Sequence, residues 1–182
     1  MKLFIKNMKG PGCVEWLAAV LLEFNIPQPQ KGELGEVILP LDTPPTLIAS
    51  FKERLANHGF FIIFDRKNIL SEKVKHVLYK MLNGDTLPTE NYSKYISNQL
   101  FLNYTYIANV FSETEEITIE HFIIKHKIEK VKTLLQNSDH SVSQIADLLH
   151  YSSVGHLSNQ FKKVTGQSPS EFKRSMQNKA LH

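Results

Sequence analysis

The sequence predicts two architectures in one chain, an α+β unit at the start and an all-α unit in the remainder. Short apolar runs alternate with amphipathic segments up to residue 65, whereas helical periodicity dominates after residue 69. Charge divides in the same way, because residues 1–65 carry 6 Lys or Arg against 7 Asp or Glu, and residues 66–182 carry 15 against 11. A chain of 182 residues is long enough for two small domains. We therefore expect domains at 1–65 and 69–182, the second of them mildly basic.

The first 65 residues contain a regular alternation of strand and helix patterns. The predicted strands are Lys2 to Lys6, a segment near Ile26 to Glu33, Val37 to Leu39 and Phe60 to Phe64, and the predicted helices are Val14 to Phe24 and Thr46 to His58. Pro27 and Pro29 confine the second strand to an edge, because proline has no backbone N–H to donate. Gly59 is placed to end the second helix in a left-handed conformation. This order, βαββαβ, predicts a ferredoxin-like fold.

The loop between the first strand and the first helix is Met8-Lys9-Gly10-Pro11-Gly12-Cys13. It resembles the loop of the heavy-metal-associated domain, whose motif is Met-x-Cys-x-x-Cys. Gly10 replaces the first cysteine, so one thiolate remains, whereas a soft cation such as Cu(I) needs two sulfurs in this geometry. We therefore expect a heavy-metal-associated-like domain that has kept its fold and lost its ligand pair, with no metal and no cofactor.

The segment after residue 65 is predicted to be helical throughout. A short linker, Asp65 to Asn68, precedes a helix from Ile69 to Asn83. A first helix pair follows, with Tyr95 to Leu100 before Asn103 to Phe111, and a long helix from about Thr118 to Gln136 joins it to the last third of the chain.

The last third has the layout of a helix-turn-helix. Val142, Ile145, Ala146 and Leu149 recur at helical spacing, and the turn Tyr151-Ser152-Ser153 leads into a second helix from Val154 to Thr165. Leu157, Phe161 and Val164 are predicted to dock this second helix on the first. An αα-hairpin of an ordinary helical bundle has the same pattern, so periodicity alone leaves DNA binding and plain packing open.

A longer motif covers this region. It comprises Ser143-Gln144-Ile145-Ala146 and the run Gly155-His156-Leu157-Ser158-Asn159-Gln160-Phe161-Lys162-Lys163-Val164-Thr165-Gly166-Gln167-Ser168-Pro169-Ser170-Glu171-Phe172-Lys173-Arg174. It resembles the closing half of the DNA-binding domain in the AraC/XylS family of bacterial transcription regulators. The resemblance implies a sequence-specific regulator that binds double-stranded DNA, is not an enzyme and has a second, earlier helix-turn-helix. The chain departs from the family at Leu157, where many members carry an aromatic residue, and at Glu116, where glycine is usual.

The resemblance also implies which side chains face DNA. In the later helix-turn-helix these are Ser152, Val154, Gly155, Ser158, Asn159, Lys162 and Lys163, and in the earlier one Tyr104, Thr105, Ala108 and Asn109. Small and amide side chains suit base edges, and lysines suit phosphates. Periodicity places Val154 near the apolar stripe, and Tyr104 suits packing equally well. We expect the later half to contribute more affinity, because the acidic segment Ser112 to Glu116 follows the earlier one and repels phosphate.

Two other functions remain open at this stage, a metal-sensing or metal-trafficking module whose DNA-binding part has decayed, and a protein-interaction domain. Homodimerisation through the N-terminal domain and a small-molecule or metal effector are also left open. An enzyme is not expected, because no glycine-rich phosphate loop and no catalytic pair of carboxylates is found. A cytoplasmic location is expected, because Cys13 has no partner for a disulfide and the chain contains neither a 20-residue apolar run nor a signal-peptide pattern.

Overall fold

A computed structural model describes residues 1–9, 11–26, 35–83, 91–137 and 140–179. The strands are β1 (Lys2–Lys6), β2 (Glu36–Ile38) and β3 (Phe61–Ile63). The helices are α1 (Pro11–Glu23), α2 (Pro45–Ala56), α3 (Arg66–Asn83), α4 (Tyr92–Leu100), α5 (Tyr104–Glu115), α6 (Ile119–Asn137), α7 (Val142–Leu148), α8 (Val154–Thr165) and α9 (Pro169–Lys179). The chain divides into two compact units, Met1–Thr118 and Ile119–His182.

The first unit contains a small antiparallel sheet with β1 in its centre. The order is β2-β1-β3, and the register pairs Leu3 with Val37 and Ile5 with Ile62. Side chains alternate across a strand, so these residues point to one face. There they share a core with α1 and α2, whose buried members include Leu17, Val20, Leu21, Phe51 and Leu55. Each such side chain contributes roughly 1.5–3 kcal/mol when fully buried.

The α+β prediction for this part is confirmed, and the ferredoxin-like prediction is not. The described residues hold three strands, and the predicted second strand lies almost wholly outside them, with Ile26 described but not in a strand. The predicted strand at Val37 to Leu39 is observed at Glu36–Ile38, and that at Phe60 to Phe64 is shorter, at Phe61–Ile63. Gly59 does have a left-handed backbone, with a φ of 77°.

The predicted linker between the two halves is wrong, because α3 begins at Arg66. The Asp65 carboxylate accepts a hydrogen bond from the Asn68 backbone N–H at 2.9 Å, which caps the helix three residues earlier than expected. The two compact units divide after Thr118, and within the first of them α3 contacts both β1 and α5.

The second unit is a helical bundle in which α6 contacts α7, α8 and α9. Its core consists of Ile128, Val131, Leu135, Ile145, Ala146, Leu149, Leu157, Phe161 and Phe172. The predicted apolar stripe of α7 is thus largely buried, with Val142 only partly so. None of the helices in the described ranges of either unit is long and apolar enough to span a membrane.

Candidate nucleic-acid interface

The later helix pair, α7 and α8, begins and ends at well-defined caps. A reciprocal capping box starts α7, with the Ser141 hydroxyl accepting from the Gln144 N–H at 3.2 Å and the Gln144 side chain accepting from the Ser141 N–H at 2.8 Å. The Ser153 hydroxyl accepts from the His156 N–H at 3.0 Å and starts α8. Gly166, with a φ of 82°, ends it. These local signals determine where α8 lies along the chain.

The buried apolar stripe of α8 contains fewer residues than predicted. Leu157 and Phe161 are fully buried, and the ring of Phe161 packs edge-on against Phe172 with 5.6 Å between centroids. Val164 is 38% exposed, so its predicted docking is wrong. The core therefore ends before the last turn of α8.

The outer side of α8 presents most of the residues proposed to face DNA. Gly155, Asn159, Lys162 and Lys163 are exposed, as are Ser152 in the turn and Val154, whose exposure is 40%. Ser158 is half-buried. Val154 is thus on the surface rather than in the core. In the last turn of α8, Lys162 and Lys163 also interact favourably with the negative end of the helix dipole.

A polar cluster behind the turn was not predicted from the sequence. The Ser152 hydroxyl lies 3.0 Å from Nδ1 of the exposed His156, whose ring meets the Tyr151 ring edge-on at 5.5 Å. The Tyr151 hydroxyl donates to the Gln160 side chain at 2.7 Å, and Lys127 Nζ lies 5.3 Å from the Tyr151 ring centroid. Tyr151 thus connects the turn to α8 and to α6. The contact between Lys127 and Tyr151 has no signature in the sequence, because Lys127 is on another helix, α6.

The earlier pair, α4 and α5, has the same type of construction. The Asn91 side chain accepts from the Lys94 N–H at 3.0 Å, and the Asn103 side chain accepts from the Thr105 N–H at 2.8 Å. The connecting turn contains Phe101, which has a φ of 55° and is 91% exposed. The later turn also contains a residue with a left-handed backbone, His150, whose φ is 54°.

The outer side of α5 is less open than that of α8. Thr105 and Asn109 are exposed, whereas Tyr104 and Ala108 are half-buried. Ile107, Val110 and Phe111 form the buried side. Of the four residues proposed to face DNA on α5, two are therefore fully on the surface.

The acidic end of α5 is occupied by contacts to α3. The Glu113 carboxylate accepts from Lys67 Nζ at 2.5 and 2.7 Å, and this hydrogen bond raises the pKa of Lys67. Glu115 lies 3.1 Å from Lys75 Nζ and accepts from the Ser71 hydroxyl at 2.8 Å. Two carboxylates that the sequence suggested would only repel phosphate are therefore ion-paired within the protein.

Cys13 lies in the first turn of α1 and packs, half-buried, on the core of the first unit, and Met8 belongs to that core. Gly10 lies outside the described residues. Within those that are described, no group of three or more His, Cys, Asp or Glu side chains is arranged to hold a metal ion. The contacts of Met8 and Cys13 are thus those of packing residues.

Comparisons with known proteins identify the helical part. Residues 96–175 match the family model described as a helix-turn-helix domain. The Msm operon regulatory protein of Streptococcus mutans is 28% identical over 83 residues, which are 46% of this chain and 30% of that protein. The chain thus spans less than a third of that relative's length.

Two solved structures share the fold. The C-terminal domain of AraT, a response regulator from Geobacillus stearothermophilus, superimposes with a TM-score of 0.52 at 21% identity over 61% of this chain and 88% of that one. The DNA-binding domain of AdpA, solved with a target DNA, gives 0.51 at 17% identity over 60% of this chain and 94% of that one. Neither the matched segment nor these superpositions support the resemblance of residues 1–65 to a heavy-metal-associated domain.

Proposed function

We propose that this chain, whose residues 96–175 match the model of a helix-turn-helix domain, is a sequence-specific transcription regulator of the AraC type. The observation that carries the proposal is the outer side of α8, which combines an exposed amide, Asn159, with two exposed lysines on a helix whose other side is anchored in the core by Leu157 and Phe161. The regulators that the chain resembles are a class without enzymatic activity.

The residues of α8 divide into two roles. Asn159 can pair bidentately with adenine, and Val154, Gly155 and Ser158 are small enough to lie against base edges in the major groove. Lys162 and Lys163 neutralise phosphates, which adds affinity without sequence preference. Ser152 acts through His156, since the two side chains are hydrogen-bonded. In this role α8 is the recognition helix of the later half.

The earlier half supplies a second recognition helix, α5. Thr105 and Asn109 are its exposed candidates for base contacts, and Tyr104 and Ala108 contribute with the part of their surface that is open. Both helices would enter the major groove of one duplex, as paired helix-turn-helix elements do. Because α5 ends in carboxylates and α8 in lysines, the later half should supply more of the affinity.

For the N-terminal domain, residues 1–65, we propose a ferredoxin-like fold that serves dimerisation or ligand sensing and has lost metal binding. Its support is the central position of β1 between two antiparallel neighbours and a core that contains Met8 and packs Cys13. The DNA-binding domain would then be residues 69–182, in a cytoplasmic protein.

A mobility-shift experiment with genomic fragments tests the proposal. The full chain is expected to shift specific fragments equally well with and without added Cu(I) or Zn(II). If it instead bound one metal ion per chain and shifted no fragment, a metal-sensing or metal-trafficking module would replace the regulator.

A further inference from the structure

Helix α3 lies between the sheet and the earlier recognition helix. On the sheet side, Lys73 Nζ is 3.2 Å from the Glu36 carboxylate of β2. A Cβ added to Gly35, whose φ is 83°, would lie 2.9 Å from the backbone oxygen of Ile5 on β1 and 3.0 Å from the His76 ring on α3, so only glycine fits here between the strand and the helix. The same helix contacts α5 elsewhere along its length. It therefore touches both the N-terminal sheet and the helix proposed to bind DNA.

The contact between α3 and α5 contains buried charge. Lys75 Nζ lies 2.6 Å from Glu72 on its own helix and 3.1 Å from Glu115 on α5. Lys75 is 8% exposed and Glu72 is 4% exposed. The fully buried Ser71 donates its hydroxyl hydrogen to Glu115. One cation thus bridges two carboxylates on two helices, of which Glu72 is buried and Glu115 keeps 19% of its side-chain surface exposed.

Burial alone would lower the pKa of Lys75, but the hydrogen bond to Glu72, the charge of Glu72 and then that of Glu115 outweigh it and raise the pKa. The amine therefore stays protonated at neutral pH. A buried ion pair adds little stability compared with apolar residues of the same size, because desolvation offsets the attraction. What the cluster does favour is one arrangement of the two helices, since a shift of α5 along α3 would separate the Glu115 carboxylate from Lys75 and from the Ser71 hydroxyl.

We infer that Lys75 is a positioning residue, which fixes the orientation of α5 on α3 through Glu115 and thereby sets how the first recognition helix meets DNA. The inference rests on the proposed function. It assigns to the Glu72–Lys75–Glu115 cluster a role in one half of the DNA site only.

A purely stabilising role would predict a different result when the whole cluster is neutralised. The triple variant Lys75→Met, Glu72→Gln, Glu115→Gln removes all three charges together, so no buried charge is left unpaired and the fold should persist. If the cluster served stability alone, this variant would bind DNA like the wild type. The milder Glu115→Gln breaks only the ionic link to α5 and leaves Lys75 paired with Glu72, which gives a second variant that should fold.

Lys132→Met is the matched control, because Lys132 and Glu129 form an exposed i,i+3 pair at 2.8 Å on α6.

Footprinting of the full-length variants on a bound genomic fragment, beside urea unfolding, tests the inference. The half of the site contacted by α5 is defined as the half that Asn109→Ala weakens. There the triple variant and Glu115→Gln should bind roughly two- to thirty-fold more weakly, with the other half unchanged and the control like the wild type. Unchanged protection by both variants, or equal weakening of both halves, would overturn the positioning role. A wild-type chain that leaves no footprint would contradict the regulator function instead.

Discussion

Helices α5 and α8 are built alike and end differently. Both have 12 residues, and each begins at a side-chain oxygen cap, Asn103 for α5 and Ser153 for α8, which are fifty residues apart. In the last turn, however, α8 carries two lysines, Lys162 and Lys163. The equivalent positions of α5 hold Ser112 and Glu113. The two helices therefore have the same length and the same kind of N-terminal cap, but they differ in the charge of their last turn.

The difference lies in what the charged side chains at the end of each helix contact: those of α5 form ion pairs within the protein, and those of α8 are exposed to solvent. Glu113 and Glu115 hold α5 against α3 through Lys67 and Lys75. The basic end of α8 is on the surface and is available to phosphates. We expect the chain to gain affinity mainly from α8, whereas the end of α5 serves mainly to fix the orientation of that helix on α3.

The largest effect should come from replacing, one at a time, the two asparagines that occupy equivalent positions in α8 and α5. Asn159→Ala is expected to lose about 1–3 kcal/mol of discrimination between the preferred site and a scrambled duplex, because a bidentate amide contact is lost. Asn109→Ala should lose less. Fluorescence anisotropy with both duplexes measures this, and a larger loss from Asn109→Ala would reverse the ranking of the two halves.

Charge in the last turn should act on the salt dependence of binding. Lys162→Ala is expected to reduce the slope of log affinity against log salt by about 0.9, the value for one phosphate contact. The reciprocal change Ser112→Lys should steepen the slope by a similar amount, and Ser112→Ala should leave it unchanged. Equal slopes for all four proteins would show that neither last turn contacts phosphate.

The helix caps offer a smaller effect on stability. Glu116 ends α5 with a φ of 57°, at the position where Gly166 ends α8 with a φ of 82°. A left-handed residue with a Cβ costs roughly 1–2 kcal/mol, partly offset by the freedom that glycine has in the unfolded chain. Glu116→Gly should raise the free energy of unfolding by about 0.5–1 kcal/mol, and Gly166→Ala should lower it by about 1 kcal/mol. Urea unfolding is the measurement, and a destabilised Glu116→Gly would mean that the carboxylate makes a contact that outweighs the strain.

The smallest effect is expected from pH. Burial lowers the pKa of His126 on α6 below its usual 6.5, and Lys130 lowers it further. Between the folded and unfolded pKa values the unfolded chain binds more protons, so the free energy of unfolding should fall as pH drops below about 6.5. His126→Gln should flatten this dependence in residues 119–182, and the exposed His121→Gln should not. If both variants kept the wild-type pH profile, another group would be responsible.

Local signals account for what the sequence predicted well. Ser141, Ser153 and Gly166 mark the ends of α7 and α8, and the apolar spacing of Ile145, Ala146 and Leu149 marks the buried side. The family match and the fold comparisons then confirm the helix-turn-helix. The DNA-facing residues themselves stay a prediction.

What the sequence missed depends on distant partners. The sequence predicts Asp65 to be a linker residue, whereas its carboxylate caps the start of α3. Lys75 and Glu72 have the appearance of ordinary surface charges, because charged helical residues are seldom buried. Their burial depends on Glu115, forty residues further along the chain, and no periodicity reports such a contact. The same contacts explain why the first compact unit runs to Thr118.

Because α3 contacts both β1 and α5, it limits where the gene can be divided. A fragment that begins at residue 69 would lose Lys67, the partner of Glu113, and would place in water the part of α3 that contacts β1. Recombination that exchanged the N-terminal domain would have to supply a new surface for α3 as well. Residues 119–182 carry a core of their own, so an evolutionary module or an expression fragment is more naturally cut before α6 than before α3.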